Sequence, residues 1–402
     1  MSYHYLLDIA LILLSTKVLG IITKKYQMPQ VVGALFAGLI FGPACLNFLQ
    51  ETDFLKQMAE LGVIALMFVA GLETDIKEMK RSGKAALIIA LCGVIVPLIG
   101  GFVVASIFNK PEFQVQETSA VLQNVFIGVI LTATSVSITV ETLKEMGKLS
   151  TSVGNAILGA ALIDDILGII ALTIITSLAD SSVNIGIVLG KIVLFFGFAA
   201  VIGIGFYKVF RKWTMKDDEE RRRYVIVAFA FCLLMAYIAE EFFGVADITG
   251  AFLAGLIISN TVKRDYIGHR FETMSYLLLS PIFFASIGLT VEIESMSAAL
   301  ILFAVVLLAI AILSKIVGCG LGAKLCGYSN KECLQIGTGM VSRGEVALIV
   351  ASKGSALGLI SPELFGPIVI MVVVTTIITP ILLKVVFKEK KTTSKKASTK
   401  VA

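Results

Sequence analysis

Long apolar runs, each ended by a short charged loop, follow one another from the first residues of the chain almost to the last. A helix needs about 20 mostly apolar residues to cross a bilayer. Runs of that length predict about thirteen spans, at residues 3–22, 30–46, 54–72, 85–108, 121–143, 150–179, 184–210, 222–243, 246–260, 271–290, 297–325, 333–353 and 364–387. The expected fold is an all-α polytopic membrane protein, with a membrane domain over residues 1–387 and a basic tail over 388–402. Met1 to Leu14 has no Lys or Arg before it and no small-residue cleavage pattern after it, so it reads as the first span rather than a cleaved signal.

The loops sort by charge. Lys24 and Lys25, Lys77 to Lys84, Lys144 and Lys148, Arg211 to Arg223, Lys263 to Arg270, and Lys324 with Lys331 follow the odd-numbered spans, while the intervening loops are acidic or neutral. Cytoplasmic loops are rich in Lys and Arg, which places the N-terminus outside and the tail in the cytoplasm of a cell that carries the protein in its cytoplasmic membrane. One stretch also recurs. Gly33-Ala-Leu-Phe-Ala-Gly-Leu-Ile40 returns as Gly250-Ala-Phe-Leu-Ala-Gly-Leu-Ile257, and 250 − 33 = 217. The same offset carries Gly71-Leu72 onto Gly288-Leu289 and Ile76 onto Ile293. Span two starts at a basic loop and span nine ends at one, so the two copies run in opposite directions. The expectation is an inverted-topology repeat, about 30–180 and 246–387, as found in secondary transporters.

Composition agrees with a lipid solvent: 57% of the 402 residues are hydrophobic and 16% charged, against roughly 25% charged in soluble domains. The net charge of +5 comes from loops and tail rather than from one helical face, so it is a topology signal and not a nucleic-acid surface. The six cysteines lack paired short spacing and read as small packing residues. Gly318-Cys-Gly-Leu-Gly-Ala323 matches a dinucleotide fingerprint in letters alone, because no strand precedes it. His4 and His269 fall at the terminus and in a loop, so no histidine relay is expected, and nothing calls for a cofactor.

Against this background a few polar residues stand out. An ionisable group at the bilayer centre costs at least about 2.5 kcal/mol and is a functional candidate by default. Asp164 and Asp165 fall midway along span six, Lys315 midway along span eleven, and Arg343 with Glu345 inside span twelve. Adjacent residues on a helix point about 100 degrees apart, so the two aspartates should have different partners: one a cation such as Na+, the other a counter-charge. Burial and a like-charged neighbour both disfavour an ionised carboxylate, which lets H+ and a metal cation compete for one group. A static pair with Lys315 is the plainer reading, but two acids and one lysine leave an acid over. Span five contains Thr132-Ala-Thr-Ser-Val-Ser-Ile-Thr139 and span twelve Gly337-Thr-Gly-Met-Val-Ser-Arg-Gly-Glu345, both poor helix formers at corresponding places in the two halves. They are expected to be interrupted helices that cross at the midplane and offer hydroxyls, Thr134 and Ser135 among them, and carbonyls to an ion. Arg343 and Glu345 do not share a helical face, so each should pair elsewhere, Arg343 with loose carbonyls or a neighbouring helix.

Together, Met67-Phe-Val-Ala-Gly-Leu-Glu73, the Thr132 to Thr139 run, Asp164-Asp165, Lys315 and Ser342-Arg-Gly-Glu345 resemble the monovalent cation:proton antiporter-2 family, especially its Na+/H+ antiporters of the NapA and GerN type. The resemblance covers nearly the whole chain. It implies an NhaA-like fold of thirteen helices, a homodimer, a six-helix core that moves like an elevator, and Na+ and H+ as substrates. It also implies that Asp165 carries the ion and that Asp164 pairs with Lys315 when no ion is bound, with Thr134 and Ser135 nearby. Kef-type relatives usually have Gln-Asp in place of the aspartate pair and a nucleotide-binding domain, and this sequence has neither. An intramembrane aspartyl protease needs its acids facing each other from separate helices, which adjacency prevents. A channel would have to pass cations by a lysine, and a non-transporting Na+ or pH sensor would show no flux.

Overall fold

A computed structural model describes residues 3–26, 28–74, 76–108, 118–179, 185–215, 222–290 and 296–388. The tail beyond Lys388 lies outside the described residues. Among the described residues the chain is all helix, with no strand. Nine helices among the described residues are long and apolar enough to cross a membrane, and Gln30–Phe41, Ala120–Ile130 and Asp247–Ile258 are shorter apolar helices. The protein is a multi-pass membrane protein.

The helices form two units. One holds α1 (His4–Lys25), α2 (Gln30–Phe41), α3 (Asp53–Glu73), α8 (Ile185–Met215), α9 (Arg222–Phe243), α10 (Asp247–Ile258), α11 (Arg264–Met274) and α12 (Ser280–Leu289), the last two joined by a π-helical turn, Ser275–Leu279. The other holds α4 (Ile76–Phe108), α5 (Ala120–Ile130), α6 (Val136–Glu145), α7 (Ser152–Ala179), α13 (Ala298–Leu325), α14 (Asn330–Gly339), α15 (Glu345–Ala356) and α16 (Pro362–Phe387). Packing within each unit is extensive, above all α4 on α13 and α7, and α10 on α3 and α9. Between the units it is sparse, confined mainly to α7 with α8, α16 with α2, and α6 with α2 and α3. We refer to the second group as the core unit and the first as the panel unit.

Local chemistry accounts for the helix ends. Thr52 caps α3 by accepting from Leu55 N at 3.3 Å, and Ser297 caps α13 by accepting from Leu300 N at 3.4 Å. Ser329 opens α14 with a reciprocal capping box: its hydroxyl oxygen accepts from Glu332 N, and the Glu332 carboxylate accepts from Ser329 N at 2.8 Å. Two expected spans are shorter than the apolar runs implied. The runs at 30–46 and 246–260 yield helices of 12 residues each, about 18 Å of rise against a hydrocarbon core of about 30 Å; α2 stops at Gly42-Pro43, where proline cannot continue it. Span ten, in contrast, begins earlier than expected. Arg264–Met274 is helical despite its polar composition, so His269 is a helix residue, 3.9 Å from Glu272, rather than a loop residue. All six cysteines are free thiols.

Glycines set the closest approaches. A Cβ on Gly38 of α2 would fall 1.9 Å from the Ala285 carbonyl oxygen and 2.9 Å from Gly288 Cα of α12. A Cβ on Gly255 of α10 would fall 2.1 Å from the Phe68 carbonyl oxygen of α3, and one on Gly71 of α3 2.2 Å from the Phe252 carbonyl oxygen. Gly38 and Gly255 are 217 residues apart, as are Gly71 and Gly288 and the first residues of α2 and α10. Each short helix therefore lies against the long helix from the opposite half of the chain. Gly38→Val must push apart two backbones, and overpacking of this kind costs about 1–3 kcal/mol or more; the melting temperature in detergent should fall by several degrees. Gly268→Ala, where an added Cβ meets nothing within 4 Å, should leave it unchanged or slightly higher.

Candidate functional site

The site is built where two helices of the core unit are interrupted. Helix α5 ends at Ile130 and α6 begins at Val136, and α14 ends at Gly339 while α15 begins at Glu345, so each gap is five residues. The gaps meet. Ser135 N donates to the Ser342 carbonyl at 2.7 Å, and a Cβ on Gly344 would lie only 2.7 Å from Ser135 Oγ, so glycine is needed for the two links to touch. Thr139, one turn into α6, donates to the Gly339 carbonyl at 2.7 Å and so satisfies the open end of α14.

Arg343 holds the crossing together. Its side chain is fully buried, Nη1 donates to the Ala133 carbonyl at 2.7 Å, and Nη2 donates to the Ala311 carbonyl of α13 at 3.3 Å. Its own carbonyl accepts from Thr376 Oγ1 of α16. One residue thus bridges both links, α13 and α16. The Glu345 backbone begins α15, and its side chain lies outside the described residues.

Beside this crossing, α7 presents the two aspartates. Asp164 is 1% exposed and Lys315 of α13 is 0% exposed. Lys315 Nζ donates to both carboxylate oxygens of Asp164 at 3.0 Å. The Thr134 hydroxyl lies beside the same carboxylate, and the Arg343 charge also faces it; Thr134 Oγ1 itself completes no hydrogen bond. Asp165 is 8% and Ser135 7% exposed, and Ser135 Oγ shares a 3.3 Å contact with Ser137 Oγ. Gly93 of α4 packs over the pair: a Cβ there would stand at ordinary van der Waals distance from Lys315 Nζ, 3.8 Å, and Asp164 Oδ1, 3.9 Å, but 2.5 Å from Cys319 Sγ, which would have to shift.

The arrangement gathers Asp164, Asp165, Thr134, Ser135, Lys315 and Arg343 in one buried region. Gly93, Thr139, Ser342, Gly344 and Thr376 belong to it as well, and the sequence assigns none of them a role, although Gly344 also falls in a quoted motif. Thr139 and Ser342 lay within the weakly helical runs; Gly93 and Thr376 carry no sequence signal, because their roles depend on what packs against them.

The model of the sodium/hydrogen exchanger transmembrane family matches residues 10–389. This chain belongs to that family. Among curated exchangers it is 39% identical to the Na+/H+-K+ antiporter GerN of Bacillus cereus, over 92% of this chain and 93% of that one. It is 34% identical to a Na+/H+ antiporter of Enterococcus hirae, over 90% and 93%. Among solved exchanger structures, the sodium proton antiporter MjNhaP1 of Methanocaldococcus jannaschii superposes with a TM-score of 0.68 at 20% identity, over 94% of both chains, which shows a shared fold.

Arg343→Met would leave the buried Ala133 carbonyl without its donor and remove a buried charge that faces Asp164. Breaking a buried charged contact from one side costs about 3–5 kcal/mol. Thermal unfolding in detergent should therefore shift well below wild type. Arg343→Lys should fall between the two, since one ammonium cannot fork to both carbonyls.

Proposed function

We propose that this exchanger is a secondary antiporter that moves Na+, or its congeners Li+ and K+, against H+ across the cytoplasmic membrane. The observation that carries the reading is the bidentate Lys315–Asp164 pair, buried beside a second carboxylate, Asp165, at the crossing of two interrupted helices. A fixed structural pair needs one acid. The second acid on the next residue is what a cation and a proton can share in turn.

In this reading Asp165 takes the metal cation, with Thr134, Ser135 and backbone carbonyls of the two links completing an oxygen shell. A dehydrated alkali cation needs several oxygens, and one carboxylate supplies at most two. Cation arrival also draws on Asp164, which loosens its hold on Lys315. An ammonium left without its counter-charge in a dry surrounding is costly and gives up its proton. Asp165 and Lys315 then each release H+ for one Na+, a two-for-one exchange that moves net charge and responds to membrane potential at about 2.3 kcal/mol per charge per 100 mV.

The sparse packing between core and panel units favours alternating access by sliding of the core, like an elevator, over local opening of a rigid body. The 217-residue offset of the glycine contacts favours an inverted repeat behind thirteen crossings, with the N-terminus outside, in which the short helices α2 and α10 and the two interrupted helices are the crossings that length alone does not reveal. The outer stripe of α8, with Val193, Val201 and Val209 each more than 70% exposed, is apolar and suits lipid or the second protomer of a homodimer.

Asp165→Asn keeps the side-chain volume and removes the titrating charge. Cation-dependent proton movement in proteoliposomes should disappear while the protein remains folded, and undiminished exchange would refute the mechanism. Lys315→Gln should abolish or reduce the response of exchange to an imposed potential, with electroneutral exchange as the residual activity. A wild-type protein whose exchange ignores the potential would show instead that the lysine is a static partner.

A further inference from the structure

Helix α6 is short, and both of its ends are occupied. Its N-terminal end carries the Thr134–Ser135 link, and its last turn carries Lys144, about 13 Å away along the helix. Lys144 Nζ lies 3.5 Å from Glu73, the last residue of α3, and 3.2 Å from Glu272 of α11. The next residue, Glu145, accepts from the backbone N–H of Gln30, the first residue of α2, at 2.8 Å. Arg264, the first residue of α11, donates to the Glu73 carbonyl at 3.3 Å and adds a second tie between α3 and α11. A core-unit helix that enters the site is thus fastened at its far end to three panel-unit helices, where the two units otherwise touch little.

We propose that Lys144 is a positioning residue for the exchange: its bridges to Glu73 and Glu272 latch the α6 half of the site to the panel unit at the face carrying the basic loops. This rests on the antiport reading above. Sliding of the core away from α2, α3 and α11 must break these bridges, so they stabilise the state in which that face is fastened. Burial alone would pull the Lys144 ammonium down, but Glu73, Glu141 and Glu272 outweigh it and hold the group above the ordinary lysine range. The Lys144 ammonium therefore stays charged throughout the neutral range.

Side-chain exposures of 21% for Lys144, 33% for Glu73 and 48% for Glu272 make the bridges individually weak, so the expected effect is a population shift rather than loss of function. Apparent Na+ affinity is measured from each face separately, in everted and right-side-out vesicles carrying the full chain. In Lys144→Gln the KM at the basic-loop face should fall about threefold to tenfold and the KM at the other face should rise, because apparent affinity scales with the population of the competent state. Lys144→Arg should restore both. Equal changes at the two faces, or none, in a protein whose wild type exchanges ions would overturn the latch and leave the antiport reading intact. The fastening can also be read without transport. Amide hydrogen exchange over the end of α3 and over α11 should quicken in Lys144→Gln and return to the wild-type rate in Lys144→Arg; unchanged exchange overturns the latch. A wild type that moves no cation while this exchange still quickens removes the antiport reading and keeps the contact.

Discussion

Inside a bilayer a peptide group has no water to turn to, and every N–H and C=O must find its partner within the protein. The two interrupted helices break this requirement over five residues each, and much of the core unit is arranged to restore it. The Ser135 N–H donates to the Ser342 carbonyl across the crossing, Thr139 closes the end of α14, and Arg343 reaches the stranded Ala133 carbonyl. The guanidinium suits this task because its planar fork can serve two acceptors on different elements while remaining charged. The frame of the site is thus a set of backbone repairs, and the functional side chains stand on it.

That frame explains how two charges can be kept in a dry interior without rigidity. The Lys315–Asp164 pair is fully enclosed, and enclosed pairs give back in mutual attraction about what they lose in hydration. Such a pair sits near balance, so a third charged species can tip it. In the exchange proposed above, Asp165, Thr134 and Arg343 are the surroundings in which cation occupancy would rearrange the hydrogen bonds of the pair.

Much of this was readable from sequence, for identifiable reasons. Asp164, Asp165, Lys315 and Arg343 stand out because charge in the middle of an apolar run is costly whatever surrounds it. The interrupted helices were legible because threonine, serine and glycine cluster where helix formers belong. The partners of Arg343 were only partly legible: carbonyls were foreseen, but Ala133 and Ala311 are alanines with nothing in their side chains to mark them. The lengths of α2 and α10 were overestimated because apolar turns after a helix look the same as the helix. The start of α11 was missed for the opposite reason, since Arg264–Met274 is polar and its helicity comes from its place between α3 and α9. Lys144 read as a loop charge for topology, and only the folded chain shows what faces it.

The glycine contacts also bear on how the protein is made. Gly38 finds its place against Ala285 and Gly288, and the intervening distance is 288 − 38 = 250 residues. At roughly 5–20 residues per second of synthesis, α2 enters the membrane some tens of seconds or so before its permanent neighbour exists. During that interval its available companion is α1, against which Gly33 already packs at Gly20. The first two helices therefore form a lasting hairpin through Gly33, while the Gly38 face, about 140 degrees round α2, stays open until the second half of the chain arrives to claim it.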